Sequence, residues 1–174
     1  MSNEIIPSIE LYSDGGAEPN PGKGGYGVIL HWNGHRKELF QGFRLTTNNR
    51  MELLGVITGL EAINRPAKIN VFTDSKYVVD AIEKGWARKW KSKNWIRTKK
   101  EKAINPDLWE RLLTAIDRHK EVKFNWVKGH NGHPENERCD QLATQGINLP
   151  NLLVDEGYIP PTEMITDDSA AKLF

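Results

Sequence analysis

Apolar and polar residues alternate at the start of the chain. Ile9 and Leu11 interleave with Glu10, Tyr12 and Asp14, a strand pattern that ends or nearly ends at Asp14. The stretch Gly15-Gly16-Ala17-Glu18-Pro19-Asn20-Pro21-Gly22 reads as a turn-rich loop. Tyr26 to Trp32 predicts a second strand, and Asn33-Gly34 is a strong hairpin signal leading into a third, roughly His35 to Leu45. The periodicity then changes. Met51, Leu54, Ile57, Leu60 and Ile63 recur at helical spacing from Asn48-Asn49 until Arg65-Pro66. Lys68 to Thr73 is a short strand ending at Asp74, and a helix follows from about Ser75 to Glu83. A segment after Gly85 is helical in part. Asn105-Pro106 caps and opens a helix whose apolar face is Leu108, Leu112, Ala115 and Ile116. Val122 to Val127 is a fifth strand, Gly129 to His133 a loop, and Pro134 to about Gln145 a last helix.

Three antiparallel strands followed by strand–helix units predict an α/β fold, a mixed five-stranded sheet with helices on both faces. After Gly146 the periodicity fades among Pro150, Pro160 and Pro161, so residues 147–174 read as an irregular acidic tail, weakly held, behind a single domain over 1–146. The length of 174 residues suits one core, and 38% hydrophobic with 27% charged residues excludes disorder throughout. No apolar run reaches the roughly 18 residues of a membrane span, and Met1 to Ser8 lacks the features of a secretory signal. The single cysteine, Cys139, allows no internal disulfide and no Cys-based zinc site. The expectation is a monomeric cytoplasmic protein that makes no use of a membrane.

The net charge of +1 conceals an asymmetry. Between Lys84 and Lys102, nine cations face only Glu101, giving +8. Between Asn151 and Phe174, five acids face only Lys172, giving −4. Trp86, Trp90 and Trp95 interleave the basic stretch. Cations hold a phosphate backbone and flat rings stack on bases or sugars. The plainer reading is a solvated basic helix whose tryptophans pack on the core. A mixed case fits best, with some rings inward and the cations toward a polyanion.

Four acids stand where chemistry could use them: Asp14 and Asp74 at strand ends, Glu52 in a first helical turn, and Asp140 in the last helix. Crevices outside the carboxyl ends of strands are the usual ligand sites of open α/β sheets. Each acid also has a bland role: Asp74 as a helix cap, Glu52 in a capping box with Asn49, Asp14 as a turn residue, Asp140 as an exposed helix acid. Together, converging carboxylates call for a cation, and oxygen-only ligands suit Mg²⁺ above all, or Mn²⁺. Two such ions about 4 Å apart can clamp both oxygens of a phosphoryl transfer. His130 and His133 flank a loop; the first could move a proton near such a site, the second could simply hydrogen-bond backbone. Cys139 reads as a buried small hydrophobe.

These motifs, in this order, closely resemble bacterial ribonuclease HI: Tyr12-Ser13-Asp14-Gly15-Gly16, Thr46-Thr47-Asn48-Asn49-Arg50-Met51-Glu52, Thr73-Asp74-Ser75-Lys76-Tyr77-Val78, Asp107-Leu108-Trp109, Trp126-Val127-Lys128-Gly129-His130 and Gly132-His133-Pro134-Glu135-Asn136-Glu137-Arg138-Cys139-Asp140. The resemblance covers about residues 8 to 146 and implies a ribonuclease H-like fold. It implies an Mg²⁺-dependent endonuclease cutting the RNA strand of RNA/DNA hybrids and leaving 3′-hydroxyl and 5′-phosphate ends. By the same resemblance Asp14, Glu52, Asp74 and Asp140 hold the metal, and His130 assists proton traffic or product release. Asn20, Thr47, Asn48 and Asn49 would line the nucleic-acid grooves, and Trp86 and Trp90 the DNA-strand channel. Residues 84–102 would form the basic protrusion, with Lys89, Lys91, Lys99 and Lys100 on phosphate. Lys76 stands where relatives often carry glutamine. Asp155-Glu156-Gly157-Tyr158 resembles the family's usual ending, and the last ~15 residues lie beyond it. Two rivals remain at this point: a non-catalytic nucleic-acid-binding module on the same scaffold, and a resolvase- or transposase-like nuclease.

Overall fold

A computed structural model of the protein describes residues 5–98, 101–129 and 131–160. His130, Lys99 and Lys100 lie outside the described residues, as does the end of the tail from 161 on. Five strands, β1 (Ser8–Ala17), β2 (Gly22–Trp32), β3 (His35–Thr46), β4 (Lys68–Thr73) and β5 (Glu121–Trp126), form one sheet in the order β3-β2-β1-β4-β5. The pairings β1–β2 and β2–β3 are antiparallel, and β1–β4 and β4–β5 are parallel, so the expected mixed sheet is present. The helices are α1 (Asn48–Ala62), α2 (Lys76–Glu83), α3 (Trp86–Ser92), α4 (Pro106–Asp117) and α5 (Pro134–Ile147).

Strand alternation sorts the core onto two faces. Leu11, Val28, Ile69 and Val71 pack with α1, α2 and α4 in the larger cluster, where Trp109 and Leu112 are fully buried. Tyr12 and Ile29 face the other way, against Cys139 and Leu142 of α5, with Phe72 alongside. Helices therefore cover both faces, four on one side and α5 on the other.

Two boundaries differ from the sequence reading, with one cause. Strand β1 does not stop at Asp14. It runs through Gly15, Gly16 and Ala17, paired with Tyr26, Gly25 and Gly24. These glycines look like a loop in sequence because glycine marks turns. Here glycine serves close packing: a Cβ on Gly15 would lie 2.6 Å from the Met51 carbonyl of α1. The loop between strands shrinks to residues 18–21.

The caps also differ. Thr47, not Asn49, caps α1, its hydroxyl accepting from the Arg50 N–H at 3.2 Å. Ser75, not Asp74, caps α2, accepting from Val78 at 3.3 Å. Asn105 precedes α4 in a left-handed conformation (φ 59°) and gives its side chain elsewhere.

Between Asn148 and Pro160 the chain has no further helix or strand and is tied to β3 and α1. Leu153 bridges to Phe43, and its carbonyl accepts from Arg44 N–H at 2.8 Å. Asp155 accepts from the Thr46 hydroxyl at 2.8 Å and ion-pairs with Arg50 at 2.7 Å. Arg50, only 2% exposed, also forks onto Asp107 and donates to the Asn105 amide oxygen. One guanidinium thus ties the start of α1, the start of α4 and the segment after α5.

Candidate active site

The parallel ladder between β1 and β4 ends at Ser13 opposite Thr73. Asp14 and Asp74 follow those residues directly, so chain geometry sets them side by side. The tight seat of Gly15 on α1 brings Glu52, one residue past Met51, to the same place. Asp14, Glu52 and Asp74 each offer a carboxylate oxygen within 4.8 Å of the other two. Three of the four expected acids meet. Asp140, exposed on α5, stands outside that group, but its charge reaches Asp14.

Electrostatics report the crowding. Burial pushes the Asp14 carboxyl up to about 8, and the charges of Asp74, Asp140 and Glu52 add to this, opposed by the Gly15 N–H at 2.9 Å. Burial likewise pushes Glu52 up to about 7, with Asp74 adding and a hydrogen bond from the Ser75 hydroxyl opposing. A divalent cation would relieve that repulsion, and an all-carboxylate donor set fits Mg²⁺ or Mn²⁺.

These raised values give the metal-free site its own pH dependence. Between the ordinary carboxylate value near 4 and about 8, Asp14 and Glu52 bind more protons in the folded state than in the unfolded chain. Their contribution to stability therefore falls as pH rises through that window. In EDTA the thermal midpoint should drop from pH 5 to pH 8.5, and Asp14→Asn should remove much of the drop. Mg²⁺ should stabilise most at the alkaline end, where it displaces fewest protons. Parallel curves for wild type and Asp14→Asn would contradict the crowding.

Several contributors were not legible in sequence. Ser75 holds Glu52 while capping α2. Trp126 Nε1 donates to the Asp74 carbonyl at 3.0 Å. Gly129 packs directly on Asp74: a Cβ there would lie 2.6 Å from its Oδ2. A side chain at this position, just before His130, would push the Asp74 carboxylate aside. His133 caps α5, its Nδ1 accepting from Asn136 N–H at 3.3 Å, which matches the backbone-bonding alternative. Cys139 is fully buried and its thiol is pushed well up by burial, so it packs as a hydrophobe.

Beside the carboxylates, two asparagines are oriented by their oxygens. Asn20 Oδ1 accepts from Asn48 N–H at 3.1 Å, and Asn48 Oδ1 accepts from Ala17 N–H at 2.7 Å. Their NH₂ groups are left to donate outward. Asn49 and Lys76 are exposed, while Thr47 spends its hydroxyl oxygen on the helix cap. In the basic segment the tryptophans divide. Trp90 packs edge-on against Trp109 at 5.8 Å, whereas Trp86 is 39% exposed beneath the Lys84 ammonium. Trp86, Lys89, Trp90, Lys93 and Arg97 line a cleft of about 270 Å³. Lys91 is tied to Glu110 at 3.1 Å and Arg88 to Asp117 at 2.6 Å.

Residues 7–148 match the family model described as RNase H. The chain belongs to the RNase H family. Members of this family are hydrolytic endoribonucleases. Among curated RNase H proteins, Ribonuclease H of Desulforamulus reducens is 60% identical over 88% of this chain and 96% of its own length. Ribonuclease HI of Synechocystis sp. is 54% identical over 87% and 94%. Among solved structures, LC9-RNase H1, a type 1 RNase H with the type 2 active-site motif, superposes with a TM-score of 0.73 at 30% identity, covering 98% of this chain and 86% of that one. LC11-RNase H1 in complex with RNA/DNA hybrid shares the fold at TM-score 0.63 and 22% identity over 80% and 96%. No helix among the described residues is long and apolar enough to cross a membrane.

Proposed function

We propose that this RNase H cleaves the RNA strand of RNA/DNA hybrids at Asp14, Glu52 and Asp74, with Asp140 completing the ligand set, and leaves 3′-hydroxyl and 5′-phosphate ends. The observation that carries the reading is the convergence of three carboxylates, whose mutual repulsion and burial a cation would relieve. Mg²⁺ bound there, as two ions in the substrate complex, would supply the Lewis acidity that activates water and stabilises the leaving oxygen. The chain's own residues do the rest. Asp14, inside β1 where its ladder with β4 stops, and Asp74, just past β4, are held by the sheet, and Ser75 orients Glu52, so little reorganisation is left for the reaction. His130, following the Gly129 contact, is the group we assign to moving the proton of the departing product.

Hybrid selectivity would come from two surfaces. The outward NH₂ groups of Asn20 and Asn48, with Asn49 and Thr47, offer donors to a minor groove that displays 2′-hydroxyls on the RNA strand. Lys76, exposed at the start of α2, adds a cation to that side. Trp86, Trp90 and the cations around them, Lys99 and Lys100 included, would take the DNA strand through sugar and phosphate. The test is cleavage of an end-labelled hybrid beside duplex RNA and duplex DNA, with Mg²⁺ and with EDTA. Cleavage of the hybrid's RNA strand alone, abolished by EDTA and giving ligatable 5′-phosphates, is expected. Preferential cleavage of duplex DNA would favour a resolvase-like nuclease, and binding without turnover a non-catalytic module.

The ion pairs refine the binding prediction. Lys89→Ala should reduce the slope of log affinity against log salt by about one unit, as loss of one phosphate contact does. Lys91→Ala should change it less, because Glu110 already neutralises that ammonium. Equal slopes for both variants and wild type would remove α3 from the interface.

A further inference from the structure

A cleft of about 510 Å³ opens where β1 begins, β2 ends, β3 begins and α1 stops. Strand β1 carries Ile9 in its wall and Asp14 five residues further on, about 17 Å along the strand, so the cleft lies apart from the carboxylates. Pro7, Ile9, Leu30, Trp32 and Ile63 form an apolar floor. Trp32 is 43% exposed and stacks on His35 at 5.6 Å. Exposed Ile5 and Ile6 continue the apolar surface into an adjoining cleft that shares Pro7 and Arg65. Cations rim both clefts. Arg36 is committed to Glu38 and Glu135, but Lys37, Arg65 and Lys120 make no ion pair among the described residues. An apolar floor with unpaired cations suits an acidic segment that carries large apolar side chains.

The chain itself contains such a segment. Between 163 and 174 the acids Glu163, Asp167 and Asp168 outnumber Lys172, and Met164, Ile165, Leu173 and Phe174 are apolar. Its reach is sufficient. Tyr158 and Ile159 line a cleft with Thr47 and Asn49 at the start of α1, while the basic cleft lies at the end of α1. A helix of 15 residues spans about 22 Å; from Pro160 the chain can extend about 23–25 Å to Asp167 and up to about 46 Å to Phe174. Tethering supplies an effective concentration in the roughly millimolar range, so a weak contact is enough. The basic segment 84–102 is the competing seat, although Trp90 is packed on Trp109 and Arg88 and Lys91 are already paired.

We propose that the segment Asp167–Phe174 docks intramolecularly into this cleft, with Asp167 and Asp168 toward Lys37, Arg65 and Lys120 and its apolar side chains against Trp32 and Ile63. The test uses the full-length protein as an equal mixture of ¹⁴N and ¹⁵N material, coupled with a zero-length carbodiimide and read by mass spectrometry. Expected are amide links from Asp167 or Asp168 to Lys37 or Lys120, within one isotope only, suppressed in 1 M salt and reduced at least threefold by Trp32→Ala. Links to lysines of the 84–102 segment would overturn the proposal. So would mixed-isotope links, which would mean a second copy, an unchanged yield in Trp32→Ala, or no links from these acids. None of these readouts depends on cleavage, so the proposal stands or falls apart from the assignment of the active site.

Discussion

Asp14→Asn should reduce Mg²⁺-dependent hybrid cleavage by about 10³-fold or more, the scale on which removing one preorganised electrostatic group acts. The substitution keeps the shape of the side chain and its neighbours, while taking away one of the three converging charges. Asp74→Asn should do the same. Asp140→Asn should cost less, because Asp140 is exposed and lies outside the tight group. Initial rates on a labelled hybrid at several Mg²⁺ concentrations check this order. Full activity in Asp14→Asn or Asp74→Asn would contradict the metal-holding role. Folding is not expected to confound the comparison, since either change relieves repulsion in the metal-free protein.

The second large effect lies outside the reaction. Arg50→Ala should destabilise the protein by about 3–5 kcal/mol, the usual consequence of breaking a buried pair from one side. Asp155 would be left nearly buried without its cation, and Asp107 and Asn105 would lose their donor. At this chain length the melting midpoint should fall by roughly 10 °C. Asp155→Asn should fall less, because its amide can still accept from Arg50. Calorimetry of both variants in Mg²⁺ decides the matter; a fall of about one degree in Arg50→Ala would show that the three segments are held together by other contacts.

The sheet was readable from the chain because its signals are local. Alternation marked β1 to β3, Asn33-Gly34 fixed the hairpin, and each later strand is followed by a helix, which leaves parallel pairing beside β1 as the simple arrangement. The errors came where long-range packing overrides a local cue. Gly15 and Gly16 carry a turn signal, yet the strand runs through both, and at Gly15 α1 presses so closely on β1 that only glycine fits. Arg50 carries a surface signal, yet partners 57 and 105 residues away bury it. The irregular segment after α5 is anchored by that same buried pair, which no periodicity reveals. In the site, Asp14 and Asp74 meet where the β1–β4 ladder stops, with β1 itself running on to Ala17. The supporting roles of Ser75 and Gly129 depend on which side chain or backbone presses against which carboxylate, and spacing alone does not carry that information.

The claim on which the function rests is that Asp14, Glu52 and Asp74 bind one cation site jointly. A Mg²⁺ titration followed through the ¹³C resonances of side-chain carboxyl groups tests it directly. All three carboxyls should shift together with a single binding curve, and Asp14 should lose its proton well below pH 8 once the ion is bound. Three resonances that stay still while the enzyme continues to cleave hybrid would contradict the account.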